Sequence, residues 1–397
     1  MAEITAVVMP KWGLSMQEGL LAAWYVAEGE RVEKGRELCD IETSKIANVL
    51  ESPASGVVRR ILVPAGSTVP VGALLAVLAA PEVEDPAIDA FVAEFRARSA
   101  ETTVRAGEEP RPRFVEVEGG RIRLLELGTG EPPVLFLHGF GGDLENWMFN
   151  QPELACARRT FALDLPGHGG SSKVVSDGSI PGLARAVLAA MDALAIARAH
   201  LVGHSLGGAI ALAIALDRPE RVASLALLAP VGLGPEIAKE YIEGFLAATR
   251  ARRLRPVLEM LVHDPKLVTA EMVENVLRAK RLDGARSALE TIAAACFEGD
   301  RQRWQVRARL AELRCPTTIV WGEDDRILPV AHSRDLPGSI AVHRLPGAGH
   351  LVHMEKAAEV NALLEDFLGG PGRAATELGI GEATIDPSAA PRVDRDR

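Results

Sequence analysis

Residues 202–208, Val-Gly-His-Ser-Leu-Gly-Gly, constrain this chain more than any other stretch. An apolar run at 200–202 leads into Gly-x-Ser-x-Gly, and an alanine-rich stretch follows at 209–216, which is the order of a strand, a sharp turn and a helix. Gly203 and Gly207 remove side chains where the backbone folds against itself, and they leave the Ser205 hydroxyl standing above the end of a sheet. Ser205 is expected at a helix N-terminus, where unpaired N–H groups and the helix dipole favour developing negative charge. A glycine-rich turn with an ordinary serine has the same pattern, so the reading depends on partners elsewhere in the chain.

The remaining strand candidates place those partners. From residue 114 the chain alternates short apolar strands (134–137, 160–163, 200–202, 224–228, 317–320 and 342–345) with helical patterns, which implies a mostly parallel sheet covered by helices. In such sheets chemistry collects beyond the strand C-terminal ends. His138-Gly139-Phe140-Gly141-Gly142 follows the first of these strands, and the N–H of Phe140 with that of Leu206 would form an oxyanion hole. Asp164 and His168, after the second, read as turn chemistry. Asp324-Asp325 follows the fifth strand and Gly347-Ala348-Gly349-His350 the sixth. A serine hydroxyl needs a base within hydrogen-bond reach, and that imidazole needs a carboxylate to fix its tautomer. These motifs, in the order Ser, Asp, His, resemble the α/β-hydrolase family over residues 114–369. The resemblance implies Ser205 as nucleophile, His350 as base rather than His204 or His353, and Asp325 rather than Asp324 as acid. It also implies that the insertion at 232–313, helical in pattern, is a cap over the active site.

Residues 1–79 form a different kind of module, with short alternating strands broken by Gly29, Gly35, Gly56, Gly66 and Gly72 and no useful helical period. A strand, a polar turn and a second strand at 39–49 put Lys45 at a hairpin tip facing water. Met9-Pro10-Lys11-Trp12-Gly13-Leu14-Ser15-Met16, Glu28-Gly29-Glu30-Arg31-Val32, Glu42-Thr43-Ser44-Lys45 and Ser52-Pro53-Ala54-Ser55-Gly56 resemble a lipoyl domain of 2-oxo acid dehydrogenase type complexes. The resemblance implies lipoate in amide linkage to Lys45, with 13–16 as the neighbouring loop; Ser44 stands where that family usually has Asp. A biotinyl domain has the same shape but carries Met-Lys-Met at the tip.

Residues 80–113 read as a linker holding a short amphipathic helix, with Ile88, Phe91, Val92 and Phe95 on one stripe expected to pack against a neighbouring domain. Residues 370–397, rich in Gly, Pro, Ala and charge without a period, are expected to be a disordered tail. The expected fold is therefore multidomain, an all-β lipoyl domain followed by an α/β-hydrolase domain with a helical cap.

The fusion of the two modules resembles the acetyltransferase (E2) subunits of acetoin dehydrogenase complexes. That resemblance implies acetyl transfer from lipoyl-Lys45 through the Ser205 site to coenzyme A. The implied partners are thiamine-diphosphate E1 subunits and lipoamide dehydrogenase (E3), and a homo-oligomer is expected. Arg250, Arg252, Arg253 and Arg255 can hold phosphates through forked hydrogen bonds and are candidates to bind coenzyme A. The alternative reading is a lipoyl-fused esterase or thioesterase, with water as the acceptor. A net charge of −10 argues against nucleic acid as a partner. No apolar run is long enough for a bilayer and residues 1–9 lack signal-peptide features, so a cytoplasmic protein without a membrane is expected. Cys39, Cys156, Cys296 and Cys315 have no paired spacing, so neither disulfides nor a metal site is expected.

Overall fold

Alternation of apolar and polar residues in the first module produces two antiparallel sheets packed face to face. In the computed structural model, which describes residues 4–10, 16, 18–42, 47–105 and 110–369, the strands are β1 (Ile4–Val8), β2 (Glu18–Trp24), β3 (Arg31–Val32), β4 (Glu37–Glu42), β5 (Ala47–Glu51), β6 (Gly56–Ile61), β7 (Ser67–Pro70) and β8 (Leu74–Ala79). They form sheets of order β1-β8-β6-β3 and β5-β4-β2-β7. Leu21, Leu38, Ile41, Leu75 and Leu78 fill the space between the sheets. Antiparallel β4 and β5 pair from Glu37 opposite Glu51 to Glu42 opposite Ala47, so residues 43–46 connect two neighbouring strands. Lys45 is among those four and lies outside the described residues.

The apolar stripe of the linker is used at once. Helix α1 (Asp85–Arg105) is longer than the single stripe suggests. Ile88 and Val92 bury against Leu74 and Val77 on the outer face of the first sheet, flanked by Phe91 and Phe95. Arg59 and Arg60 hold the start of the helix through Asp85 and Asp89.

The second module is an eight-stranded sheet. Its strands are β9 (Arg113–Val117), β10 (Gly120–Leu127), β11 (Val134–Leu137), β12 (Thr160–Leu163), β13 (Ala199–His204) and β14 (Val222–Leu228), then, beyond the small hairpin β15 (Phe297–Glu298) and β16 (Arg301–Gln302), β17 (Thr317–Gly322) and β18 (Ile340–Leu345). The sheet order is β18-β17-β14-β13-β11-β12-β10-β9, parallel from β12 to β18. The first two strands are an antiparallel hairpin rather than part of the βα alternation, because Gly119 and Gly120, both at positive φ, make the tight reversal between them. The central strands are buried on both faces, and β11 reads Val-Leu-Phe-Leu without a polar position.

Helix α4 (Leu206–Asp217) is apolar all round and buried from Leu206 to Ala215, as expected for a helix enclosed by the sheet and α3 (Ile180–Ala193) rather than lying on a surface. Helix α2 (Gln151–Ala155) precedes β12. The insertion between β14 and β17 supplies α5 (Lys239–Ala247), α6 (Ala251–Leu258), α7 (Ala270–Lys280) and α8 (Ala285–Cys296), and the chain closes with α9 (Val352–Glu355) and α10 (Ala357–Leu368). The strand order reverses at β11, which sits between β12 and β13. In open sheets of this kind that reversal opens a crevice beyond the strand ends. Among the described residues no helix is long and apolar enough to cross a membrane.

Ile88 is fully buried between α1 and the first sheet. Ile88→Ala is expected to lower the unfolding free energy by roughly 2–4 kcal/mol through lost transfer energy and the cavity left behind. Urea denaturation of the full chain measures this, and an unchanged midpoint would mean that the helix does not pack there.

Candidate active site

Ser205 stands where β13 turns into α4, and its backbone is held at φ 52° and ψ −113°. A non-glycine residue adopts such a conformation only when its surroundings over-determine it. Three backbone hydrogen bonds do so here. The Ser205 N–H donates to the Leu228 carbonyl at 3.0 Å, and its carbonyl accepts from Val231 and Ala209, each at 3.1 Å. The glycines permit the close approach. A Cβ on Gly203 would stand 2.5 Å from the Gly207 carbonyl oxygen, and one on Gly207 would stand 2.1 Å from that of Leu137. The sharp turn is thereby pressed against the end of β11.

The base and its carboxylate come from the two strand ends on the same side. His350 is almost fully buried, and its Nδ1 lies 2.8 Å from Asp325 Oδ2. Donation of the Nδ1 proton to the carboxylate leaves Nε2 as an acceptor. Asp325 is oriented by the Ile327 and Leu328 N–H groups on Oδ1, at 2.8 and 2.9 Å, and by the Trp321 indole on Oδ2 at 3.1 Å. Asp324 faces the other way, onto His263 at 3.0 Å, with its side chain about half exposed. Geometry thus separates the two adjacent aspartates, which the sequence pattern alone could not.

Ser205 and His350 line one cavity of about 120 Å³, together with Phe140, Tyr241, Phe245 and Met354. Its walls are largely apolar and combine the sheet edge with the α5–α8 insertion. The backbone N–H groups of Phe140 and Leu206 make no hydrogen bond with any described residue. Unpaired donors beside a buried serine suit a developing oxyanion. The Tyr241 hydroxyl donates to the Phe140 carbonyl at 3.2 Å and so ties the oxyanion loop to the cap. Asp164 has the structural role that its turn motif suggests: it accepts from the Leu144 and Gly170 N–H groups at 2.7 and 2.6 Å and pairs with Arg123 at 2.9 Å.

Behind the base lies a packed imidazole group that no periodicity announces. His204 Nε2 donates to the His350 carbonyl at 2.9 Å, and its ring stacks 4.6 Å from those of both His350 and His353. His353 is fully buried without a hydrogen-bond partner for either ring nitrogen, stacked on Trp147. Burial first, then the neighbouring His350, pulls His353 down to about 3. His204 is also held far below the usual imidazole value, again mainly by burial. His138 falls to about 4 and His168 to about 3 for the same leading reason. Glu355 completes the support. Its carboxylate accepts from the Gly349 N–H at 2.8 Å and the His263 N–H at 2.6 Å, joining the base loop to the cap.

The remaining candidates lie outside this cluster. Arg250, Arg252 and Arg253 are exposed at the start of α6 and carry no side-chain hydrogen bond or ion pair among the described residues. Arg255 instead donates to the Val268 carbonyl at 2.5 Å and lies 3.9 Å from Glu259. None of the four lines the cavity, although Leu258 of the same helix does. Lys45 and residues 13–15 lie outside the described residues, while Met16 is buried in the sandwich core. No group of three or more His, Cys, Asp or Glu side chains among the described residues could hold a metal ion.

Comparison with known proteins agrees with this architecture. The pattern described as "alpha/beta hydrolase fold" matches residues 132–357, and that described as "Biotin-requiring enzyme" matches residues 5–78. The chain is 47% identical to the dihydrolipoyllysine-residue acetyltransferase component of the acetoin cleaving system of Pseudomonas putida, over 93% of this chain and 99% of the relative. It is 45% identical to the component of the same name from Cupriavidus necator, over 92% and 98%. Among solved structures, a meta-cleavage product hydrolase (CumD) superposes with a TM-score of 0.59 at 26% identity, over 64% of this chain and 97% of that one.

Four imidazoles are thus buried neutral, and their folded-state values lie below the ordinary 6.5. Below pH 6.5 the unfolded chain binds protons that the folded chain refuses, so stability is retained above that value and lost as pH falls toward 3 to 4. Each such group contributes up to roughly 1.4 kcal/mol per pH unit. The urea midpoint is expected to fall between pH 7 and pH 5, and His353→Gln to reduce that slope; a flat profile would contradict the neutral burial.

Proposed function

Because the chain belongs to the family of dihydrolipoyllysine-residue acetyltransferase components of acetoin cleaving systems, with a lipoyl-type domain ahead of an α/β-hydrolase domain, we propose that it moves an acetyl group from lipoyl-Lys45 to coenzyme A through Ser205, Asp325 and His350. The observation that carries this reading is the 2.8 Å contact of His350 with Asp325 at a cavity that Ser205 also lines. Residues 1–79 carry the acyl group, 80–113 tether that module, and 114–369 hold the reaction site, with 232–313 as its cap.

The position of Lys45 suits a covalent lipoyl group, since it lies in a four-residue connection between paired antiparallel strands, one of which reaches the rim of the cavity. When bound there, the lipoyl group presents acetyl as a thioester. His350 Nε2 takes the Ser205 proton as the hydroxyl oxygen bonds to the acyl carbon. Asp325 holds the resulting imidazolium in orientation. The oxyanion forms against the N–H groups of Phe140 and Leu206. Collapse breaks the carbon–sulfur bond and His350 returns the proton to the departing sulfur. Coenzyme A then repeats the sequence in reverse, its thiol giving a proton to His350 as sulfur bonds to the acyl carbon and Ser205 recovers its hydroxyl. The apolar cavity and its cap keep water from competing for the acyl-serine.

Arg250, Arg252 and Arg253 are the candidates for the coenzyme A phosphates, being exposed and unpaired, with Arg255 placed to hold the α6 end of the cap. The setting is a cytoplasmic complex in which thiamine-diphosphate E1 subunits load Lys45 and a lipoamide dehydrogenase (E3) reoxidises it, with this chain as a homo-oligomer.

Acetyl-dihydrolipoamide and coenzyme A supplied to the purified chain are expected to yield acetyl-CoA, with Ser205→Ala slower by roughly a thousandfold or more. Acetate as the sole product would replace transfer by hydrolysis, and undiminished turnover in Ser205→Ala would remove the serine from the reaction. Intact mass of chain made in lipoate-supplied cells is expected to show one lipoyl increment that disappears in Lys45→Arg. An unmodified wild type would contradict the attachment.

A further inference from the structure

Asn48, on β5, is a point at which the N-terminal sandwich touches the catalytic module. Its Nδ2 donates to the Met354 carbonyl at 3.3 Å. Its Oδ1 accepts from the Val49 N–H at 2.8 Å, so the amide is held with its donor facing the other module. Strand β5 also packs against the turn Pro265–Leu267 of the cap. Glu51, farther along the strand, is partly buried there. That burial raises its carboxyl value, and Glu359 and Glu37 add to the rise while Lys356 opposes it. The two modules therefore meet with β5 on one side, and α9, the start of α10 and the cap turn on the other.

The location is specific to the reaction site. Met354 lines the cavity that holds Ser205 and His350, and it follows His350 by four residues. The helix that carries it is anchored to the base loop and to the cap by the Glu355 carboxylate. Lys45 precedes Asn48 by three residues, a span of at most roughly 11 Å of chain.

Among the described residues the contact has no apolar core of its own. Each cluster of buried apolar side chains belongs to one side of it: two to the catalytic module, and two to the sandwich and its linker helix. No ion pair joins the modules among the described residues. An interface of this kind holds a domain briefly rather than permanently. A carrier that must also visit other enzymes needs a contact that lets go.

We propose that α9 and the Pro265–Leu267 turn form a docking surface for the chain's own lipoyl-type domain, which seats β5 through Asn48, three residues along the chain from Lys45. The contact is made and broken in each catalytic cycle. This inference rests on the acyl-transfer reading above for its purpose, but not for its detection. Asn48→Asp keeps the acceptor for the Val49 N–H and removes the donor to Met354, so the fold is retained.

Full-length wild type and Asn48→Asp, both verified as lipoylated by intact mass, are compared by amide hydrogen exchange over 352–356 and 265–268. They are also compared by single-turnover acetyl transfer to coenzyme A, from loaded Lys45 and from free acetyl-dihydrolipoamide. Faster exchange over those segments in Asn48→Asp is expected, with transfer from the attached arm slowed about tenfold and transfer from the free donor unchanged. Identical exchange in the two proteins, or an equal loss with both donors, overturns the docking surface. A wild type that makes no acetyl-CoA from the free donor, yet shows the exchange difference, upholds the surface and sinks the acyl-transfer reading alone.

Discussion

The catalytic module depends on one backbone conformation, that of Ser205. Its positive φ is unfavourable for a residue with a side chain, so it persists only because the surrounding sheet pays no smaller cost by relaxing it. The end of β14 accepts its N–H, the chain leaving β14 donates to its carbonyl, and the β11 loop abuts the turn so closely that Gly207 cannot bear a Cβ. Every strand involved is buried on both faces, which makes the support rigid. The same turn starts α4 and thereby leaves the Leu206 N–H without an intrahelical acceptor. Strain, presentation of the serine to the cavity and an unpaired donor are consequences of a single local geometry.

The base needs a different kind of support, because a loop after a strand has no helix to define it. Here the loop is fixed from both sides. His204 holds the His350 carbonyl, and Glu355 holds the Gly349 N–H while reaching the cap through His263. A carboxylate between two N–H donors and a neutral imidazole on a carbonyl are satisfied groups, and satisfied buried groups specify one arrangement. His353 is the exception, stacked between Trp147 and His204 with neither nitrogen bonded. Its burial in the neutral form also keeps positive charge away from the neighbouring His350 ring.

How much of this could be read from the chain follows from which features are local. Six parallel strand positions were legible because short, largely apolar segments of three to five residues between helical patterns leave few alternatives. Gly-x-Ser-x-Gly was legible because close backbone approach demands glycine, and the Ser, Asp, His order because each group follows a strand end. The choice of Asp325 over Asp324 came from resemblance alone, since neighbouring carboxylates differ only in direction, and direction is set by the Ile327 and Leu328 N–H groups. The antiparallel start of the sheet was hidden in the Gly119-Gly120 pair, a turn signal that the search for alternating strands and helices passed over. Glu355, Tyr241 and Asn48 had no signal at all. Each works through a partner at least six residues away, and in two cases more than a hundred, so nothing in the spacing marks them.

The contrast between the interior of each module and the contact between them is the last step. Within the sandwich and within the hydrolase sheet, stability comes from buried apolar area, which is non-directional and large. Between them, among the described residues, the Asn48 amide bonds the Met354 carbonyl and β5 packs on the Pro265–Leu267 turn, without an apolar cluster shared by the two sides. An exposed or half-exposed hydrogen bond changes little in net free energy when water replaces it. An apolar interface of the same position would bind the carrier more tightly and slow its release, so that the arm served one site well and the others poorly. A polar contact instead gives orientation with little affinity, which is what a shared carrier requires of each station it visits.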